Sequence, residues 1–183
     1  MEKMFASEGI TESDRLLHTP GAFAKKNLLY VQETGVLQSL TPHVCKRENL
    51  DSYLLLEVEK GEGKVTVAGI TYDVHQGDCV WIDCHSAFEH ISSQENPWKL
   101  AWVHFNGIGA AAFYKLFREN NGSPVFVPTE AGSVSACIRT LLEMLKKNAS
   151  ELQQHAMLTQ IVVNCISQIN KKEKLEDIRE YIN

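Results

Sequence analysis

The period of hydrophobic residues changes once along the chain, near residue 108, and that change limits the possible folds more than any other feature. Before it come short segments rich in β-branched and aromatic residues, at 28–33, 36–41, 52–59, 64–68, 70–74, 79–83 and 98–106, separated by Gly, Pro, Asn and Asp. Gly61-Glu62-Gly63, Ala68-Gly69 and Gln76-Gly77-Asp78 have the composition of hairpin turns. Many short strands at this spacing predict a sandwich or barrel rather than βαβ units. After residue 108 the period is helical. A short helix is expected at 109–120, a small extended piece at Val125-Phe126-Val127, and a helix at 133–147. In that last helix Val134, Cys137, Ile138, Leu141, Leu142 and Leu145 share a face, and Ser133 stands in the N-cap position.

The next helix, 151–170, is apolar on two sides. Leu152, Ala156, Thr159, Val163 and Ile166 form one stripe, and Leu158, Ile161, Val162, Cys165 and Ile169 form another. Two stripes need two partners. The preceding helix supplies one, and a second copy of the chain is expected to supply the other, giving a homodimer through helix 151–170. The tail from Lys174 to Asn183 starts a further amphipathic helix, with Leu175, Ile178 and Ile182 lacking a partner core. The chain is therefore expected to stop inside a helix of a longer parent protein.

Composition excludes several classes. With 183 residues, 44% of them hydrophobic, there is material for one sizeable core, and disorder is excluded. No apolar run approaches the roughly 18 residues of a membrane span, and MEKMFASEGI lacks a signal pattern, so a cytoplasmic protein without membrane contact is expected. The net charge is −5, made of −6 over residues 1–132 and +1 over 133–183. Neither part has the basic surplus that phosphate neutralisation requires, so these residues alone are not expected to grip nucleic acid. Five scattered cysteines without a CxxC pair are expected to be reduced thiols.

Lys60-Gly61-Glu62-Gly63, followed by Tyr72-Asp73-Val74-His75-Gln76-Gly77-Asp78, resembles the double-glycine and Gly-Asp turns of cupin barrels. Asn96-Pro97-Trp98-Lys99-Leu100-Ala101-Trp102-Val103-His104-Phe105-Asn106-Gly107 is similar to the run that ends the effector-binding barrel of AraC-type bacterial transcription regulators, and Arg47, six residues before Tyr53, fits the same family. The resemblance covers roughly residues 25–183. It implies a mainly β fold with C-terminal helices, a cupin-like (jelly-roll) β-barrel of about eight strands followed by antiparallel α-helices. The implied parts are an N-terminal arm at 1–24, the barrel at 25–128, a helical dimerisation region at 129–172, and the start of a helix-turn-helix DNA-binding module at 173–183. DNA contact would then belong to the missing remainder of that module.

Enzymatic cupins hold a metal with a His-x-His pair, and the corresponding stretch here, Asp51-Ser52-Tyr53-Leu54-Leu55-Leu56, has no histidine. No catalytic residue, metal or cofactor is expected. A cluster of His43, Cys45, Cys84, His85 and His90 has spacings unlike those of zinc modules. Cys79 and Cys84 lack an activating motif and read as inert thiols. Trp98, Leu100, Trp102 and His104 alternate on one face of a strand, opposite Lys99, Ala101, Val103 and Phe105. From the residues alone Trp102 is either core or a pocket wall; the resemblance implies the wall, against the apolar face of a sugar. His104 is either a pocket group or a rim residue. Arg47 is implied as a ligand contact at the barrel mouth, its guanidinium suiting hydroxyls or a carboxylate. Where relatives often show Pro-His-x-Tyr this chain has Ala87-Phe88-Glu89-His90, so His90 is kept as a contact and Phe88 as packing. The expected ligand set is Arg47, His90, Trp102 and His104, around a small effector, taken to be a carbohydrate. A small metal-dependent cupin enzyme, an isomerase or dioxygenase, is the alternative, and a naturally short protein that dimerises with full-length regulators is a third.

Overall fold

The computed structural model describes residues 11–182, with side-chain surroundings for residues 11–166. Among the described residues ten strands and four helices follow one another: β1 Thr11–Leu17, α1 Ala22–Asn27, β2 Leu29–Ser39, β3 Val44–Arg47, β4 Tyr53–Lys60, β5 Glu62–Val67, β6 Ile70–His75, β7 Cys79–Asp83, β8 Phe88–Ser92, β9 Lys99–Gly107, α2 Ala110–Asn121, β10 Val125–Phe126, α3 Ser133–Lys146 and α4 Glu151–Ile182. The strands form a six-stranded sheet in the order β1-β2-β9-β4-β7-β10 and a four-stranded sheet in the order β3-β8-β5-β6, with antiparallel pairing within each.

The larger sheet is covered on both faces, and the alternation of β4 and β9 distributes side chains between two cores. Leu54, Leu56, Val58, Leu100 and Trp98 point between the sheets and meet Val65, Val74 and Phe88 of the smaller sheet. Tyr53, Leu55, Ala101, Val103 and Phe105 point the other way, into a core shared with Phe117, Ile138, Leu141, Leu158 and Ile161 of the helices. Burial on both faces explains why Tyr53-Leu54-Leu55-Leu56 reads as a continuous apolar run.

Several expectations change in detail. Of the three expected hairpin turns, the one at Ala68-Gly69 closes a hairpin, between β5 and β6 with Val67 opposite Ile70. The turns after β4 and β6 instead carry the chain from one sheet to the other, because β4 pairs with β7 and β9. Gly61 makes the first of these crossings at φ 76, where a Cβ would lie 2.5 Å from the Pro97 carbonyl oxygen. Segments 28–33 and 36–41 are a single strand, β2, running through Gly35. Strands β1, β3 and β8 had no distinct sequence signal. They are short or mostly polar, and pairing rather than burial organises them.

Helix α3 begins at the expected place but is capped differently. Gly132 occupies the N-cap position, and Ser133 is the first helical residue with its hydroxyl unpartnered among the described residues. The cap is the carboxylate of Glu57, a residue of β4 only 1% exposed. Its two oxygens accept from the Gly132 N–H at 2.9 Å and the Ser135 N–H at 2.6 Å. A negative charge at a helix N-terminus meets both the orphan N–H groups and the helix dipole. Two residues along β4, Glu59 receives the Arg139 Nε and Nη2 at 2.7 and 2.5 Å, so the strand holds α3 twice.

Helix α4 packs against β2, α2 and α3. It runs to Ile182 without the expected break before residue 174, since Lys171-Lys172-Glu173 contains no residue that stops a helix. The side chains of Leu175, Ile178 and Ile182, on which the reading of a further module depends, lie outside the described residues, as do Phe5 and Ile10 of the arm. Of the two stripes on this helix, Leu158, Ile161, Val162 and Cys165 are buried, while Leu152 is 61% and Val163 43% exposed. Ile166 departs from its stripe and is buried, and Ile169 lies outside the described side chains.

Glu57→Ala leaves the Gly132 and Ser135 N–H groups without their buried acceptor. It is expected to lower unfolding stability by about 2 kcal/mol, read as a lower urea midpoint at unchanged slope.

Candidate functional site

Between the two sheets, at the end where β1 joins the larger one, lies an open cavity of about 740 Å³. Arg47, His90, Trp102 and His104 all line it. They arrive from both sheets: Trp102 and His104 from β9, Arg47 from β3 and His90 from β8. Cys45 pairs with His90 and Arg47 with Phe88, and residues directly opposite in a pair share a face, so Arg47 stands on the same inner face as the buried Phe88.

Trp102 is positioned from behind and from its edge. Its cross-strand neighbour is Gly35, where a Cβ would come within 2.8 Å of the indole, so glycine is required for the ring to lie across β2. The indole N–H donates to Glu33 Oε1 at 3.3 Å. Glu33 in turn receives Arg15 through two bonds, Nε to Oε1 at 2.6 Å and Nη2 to Oε2 at 2.9 Å. Arg15 belongs to β1, which lines the cavity with Thr11, Ser13, Arg15 and Leu17. Glu33 and Arg15 had no sequence signal as site residues, because their place depends on β1 pairing with β2.

The polar groups deeper in the cavity are neutral. Burial drives the His90 pKa down to about 3, helped by His43, His104 and Arg47. Burial likewise lowers His104 to about 4; Glu33 opposes the change, while Arg47 and Arg15 add to it. His43, also on the wall, is lowered by burial. The ring nitrogen Nδ1 of His104 lies 3.0 Å from the Ser52 hydroxyl. Nδ1 of His90 is buried with no partner among the described residues.

The cluster His43, Cys45, Cys84, His85 and His90 is not gathered at one point. His43, Cys45 and His90 line the cavity, Cys84 is buried in the inter-sheet core, and His85 sits on the surface between Asp83 and Asp51. Among the described residues no group of three or more His, Cys, Asp or Glu side chains is placed to hold a metal ion. All five cysteines are free thiols. Burial pushes Cys79 and Cys165 up and Cys84 up to about 12, which leaves them protonated and poorly nucleophilic.

A two-sheet jelly roll with a half-apolar cavity and helices packed on its outer face is the architecture of a small-molecule-binding cupin domain. The sequence profile of the AraC-like ligand binding domain matches residues 30–162, and the chain belongs to that family. It is similar to the MmsAB operon regulatory protein of Pseudomonas aeruginosa PAO1, at 29% identity over 86 residues. That match covers 45% of this chain and 28% of the relative. Among solved structures, the Cnp3 cupin domain of Schizosaccharomyces pombe matches at 10% identity and TM-score 0.42, over 62% of this chain and 72% of that one. KdgF from Halomonas sp. matches at 16% identity and TM-score 0.41, over 56% and 82%.

The lowered histidines generate a pH dependence. Their ordinary value is 6.5 and their folded values are about 3 and about 4. Between these limits the unfolded chain binds more protons than the folded one, so stability is complete above pH 6.5 and declines as pH falls toward the folded values. His90→Gln is expected to reduce the stability lost between about pH 7 and 4.5 by about 2 kcal/mol relative to wild type, measured by urea unfolding at each pH.

Proposed function

We propose that the cavity receives a small effector of the carbohydrate kind, and that this chain is the sensing and dimerising part of a longer AraC-type transcription regulator whose DNA-binding module lies outside it. The observation that carries the reading is the convergence of Trp102, Arg47, His90 and His104 on one cavity of about 740 Å³. A flat apolar wall with a few fixed polar groups suits a sugar's carbon face and hydroxyls. No chemistry on the ligand is part of the proposal. The signal is a population shift: an effector touching β1, β2 and β9 at once favours the arrangement in which β1 is docked and the helices behind the sheet are held in place. Asp14 of β1 bonds Lys146 of α3 at 2.7 Å, which supports a link from the cavity wall to the helices. Among the described residues no helix is long and apolar enough to cross a membrane.

A thermal-shift screen against sugars and sugar acids tests the effector. A ligand at one hundred times its Kd stabilises the folded form by about 2.7 kcal/mol, and a folded Trp102→Ala variant is expected to lose that shift. An unchanged shift in that variant would place the binding site elsewhere.

Dimerisation rests on the exposed stripe of α4, with Leu152 and Val163 uncovered beside the exposed Ala156. Val163→Glu places a charge in the interface and is expected to convert dimers to monomers at roughly tens of micromolar in sedimentation. A wild-type chain that is monomeric at that concentration overturns the dimer.

A further inference from the structure

The charged groups on the cavity wall are engaged by neighbouring side chains except at one point. Glu33 is occupied through both oxygens by Arg15. Asp51 Oδ1 accepts from Asn106 Nδ2 at 2.6 Å and lies 3.0 Å from the His85 ring. Lys46 has its head 3.9 Å from Glu89 and a side chain 75% exposed. Arg47 makes no ion pair among the described residues, although it lines the cavity. It is exposed at the cavity mouth and stands on the same face of the sheet as Phe88 and His90. His90 and His104 are neutral and bring no charge of their own. His90, packed between Phe88 and Trp98, has the unpartnered Nδ1 on the strand next to Arg47.

We propose that the effector carries a single carboxylate, held by the guanidinium of Arg47 at the cavity mouth, with its hydroxylated carbon skeleton running inward along Trp102 toward His90 and His104. The inference rests on the carbohydrate reading above and narrows it to sugar acids. One unpaired cation matches one negative charge, and a planar guanidinium matches a planar carboxylate through two parallel bonds. A phosphate dianion would need a second inward cation or a helix N-terminus, whereas Lys46, the other exposed cation of the lining, stands opposite Glu89 on the other face of β3 from Arg47. A neutral sugar would leave the guanidinium unpaired.

Matched pairs test this by titration calorimetry: glucose against glucuronate, galactose against galacturonate, and glucose 6-phosphate as the dianion. The expected result is that one acid binds at least tenfold more tightly than its neutral partner and than the phosphate, and that added salt weakens its binding but not that of the neutral sugar. Arg47→Gln should erase the difference and Arg47→Lys should restore part of it. The residue is exposed, so both variants are expected to keep the wild-type melting temperature. A neutral sugar that binds as tightly as its acid, or a preference for the acid that survives Arg47→Gln, overturns the carboxylate and leaves the carbohydrate reading standing. A folded protein that binds none of the five compounds overturns both.

Discussion

Strand β4 has no solvent face along its first six residues, and this double burial organises the molecule. Leu54, Leu56 and Val58 close the space between the sheets, while Tyr53, Leu55 and Glu57 face the helices. A carboxylate in such a place is tolerated only when its hydrogen bonds are complete. Glu57 finds two backbone N–H groups that α3 could not satisfy internally. Each group removes the other's desolvation penalty, so the position of α3 and the burial of Glu57 depend on one another. Because Leu54 and Leu56 also line the cavity, the strand that holds the helix is also one of its walls.

The cavity is preorganised by the same economy. Trp102 is fixed by a glycine behind it and by Glu33 at its N–H, and Glu33 is fixed by Arg15. Three neighbouring strands, β1, β2 and β9, thus share one polar chain. A ligand that bears on Trp102 bears on the whole chain, and β1, an edge strand paired on one side, is its most easily displaced member. The neutral histidines follow from the same enclosure: desolvation disfavours their charged forms, with Arg47 acting on both and Arg15 on His104.

Much of the fold was legible because it depends on local periodicity. The change from period two to period 3.6 near residue 108, the apolar face of 133–147 and the alternation of Trp98, Leu100, Trp102 and His104 all require only that side chains sort between polar and apolar surroundings. That Arg47, His90, Trp102 and His104 come to one cavity was legible through the order of the cupin motifs, not through any property of the single residues. The strands that were missed carry no such pattern. β1 reads Thr-Glu-Ser-Asp-Arg-Leu-Leu and becomes a strand because the edge of β2 offers it a hydrogen-bonding ladder.

The sequence by itself determined the class of the fold, the order of its layers and the split between a strand-rich sensing part and a helical part, since burial patterns and turn residues are written locally. The tertiary structure alone decided which turns close hairpins and which cross between sheets, that the cap of α3 comes from a strand 75 residues earlier, and that Arg15 and Glu33 belong to the cavity. These are pairings between residues far apart in the chain, where many partners are chemically equivalent. Only the positions imposed by two packed cores choose among them.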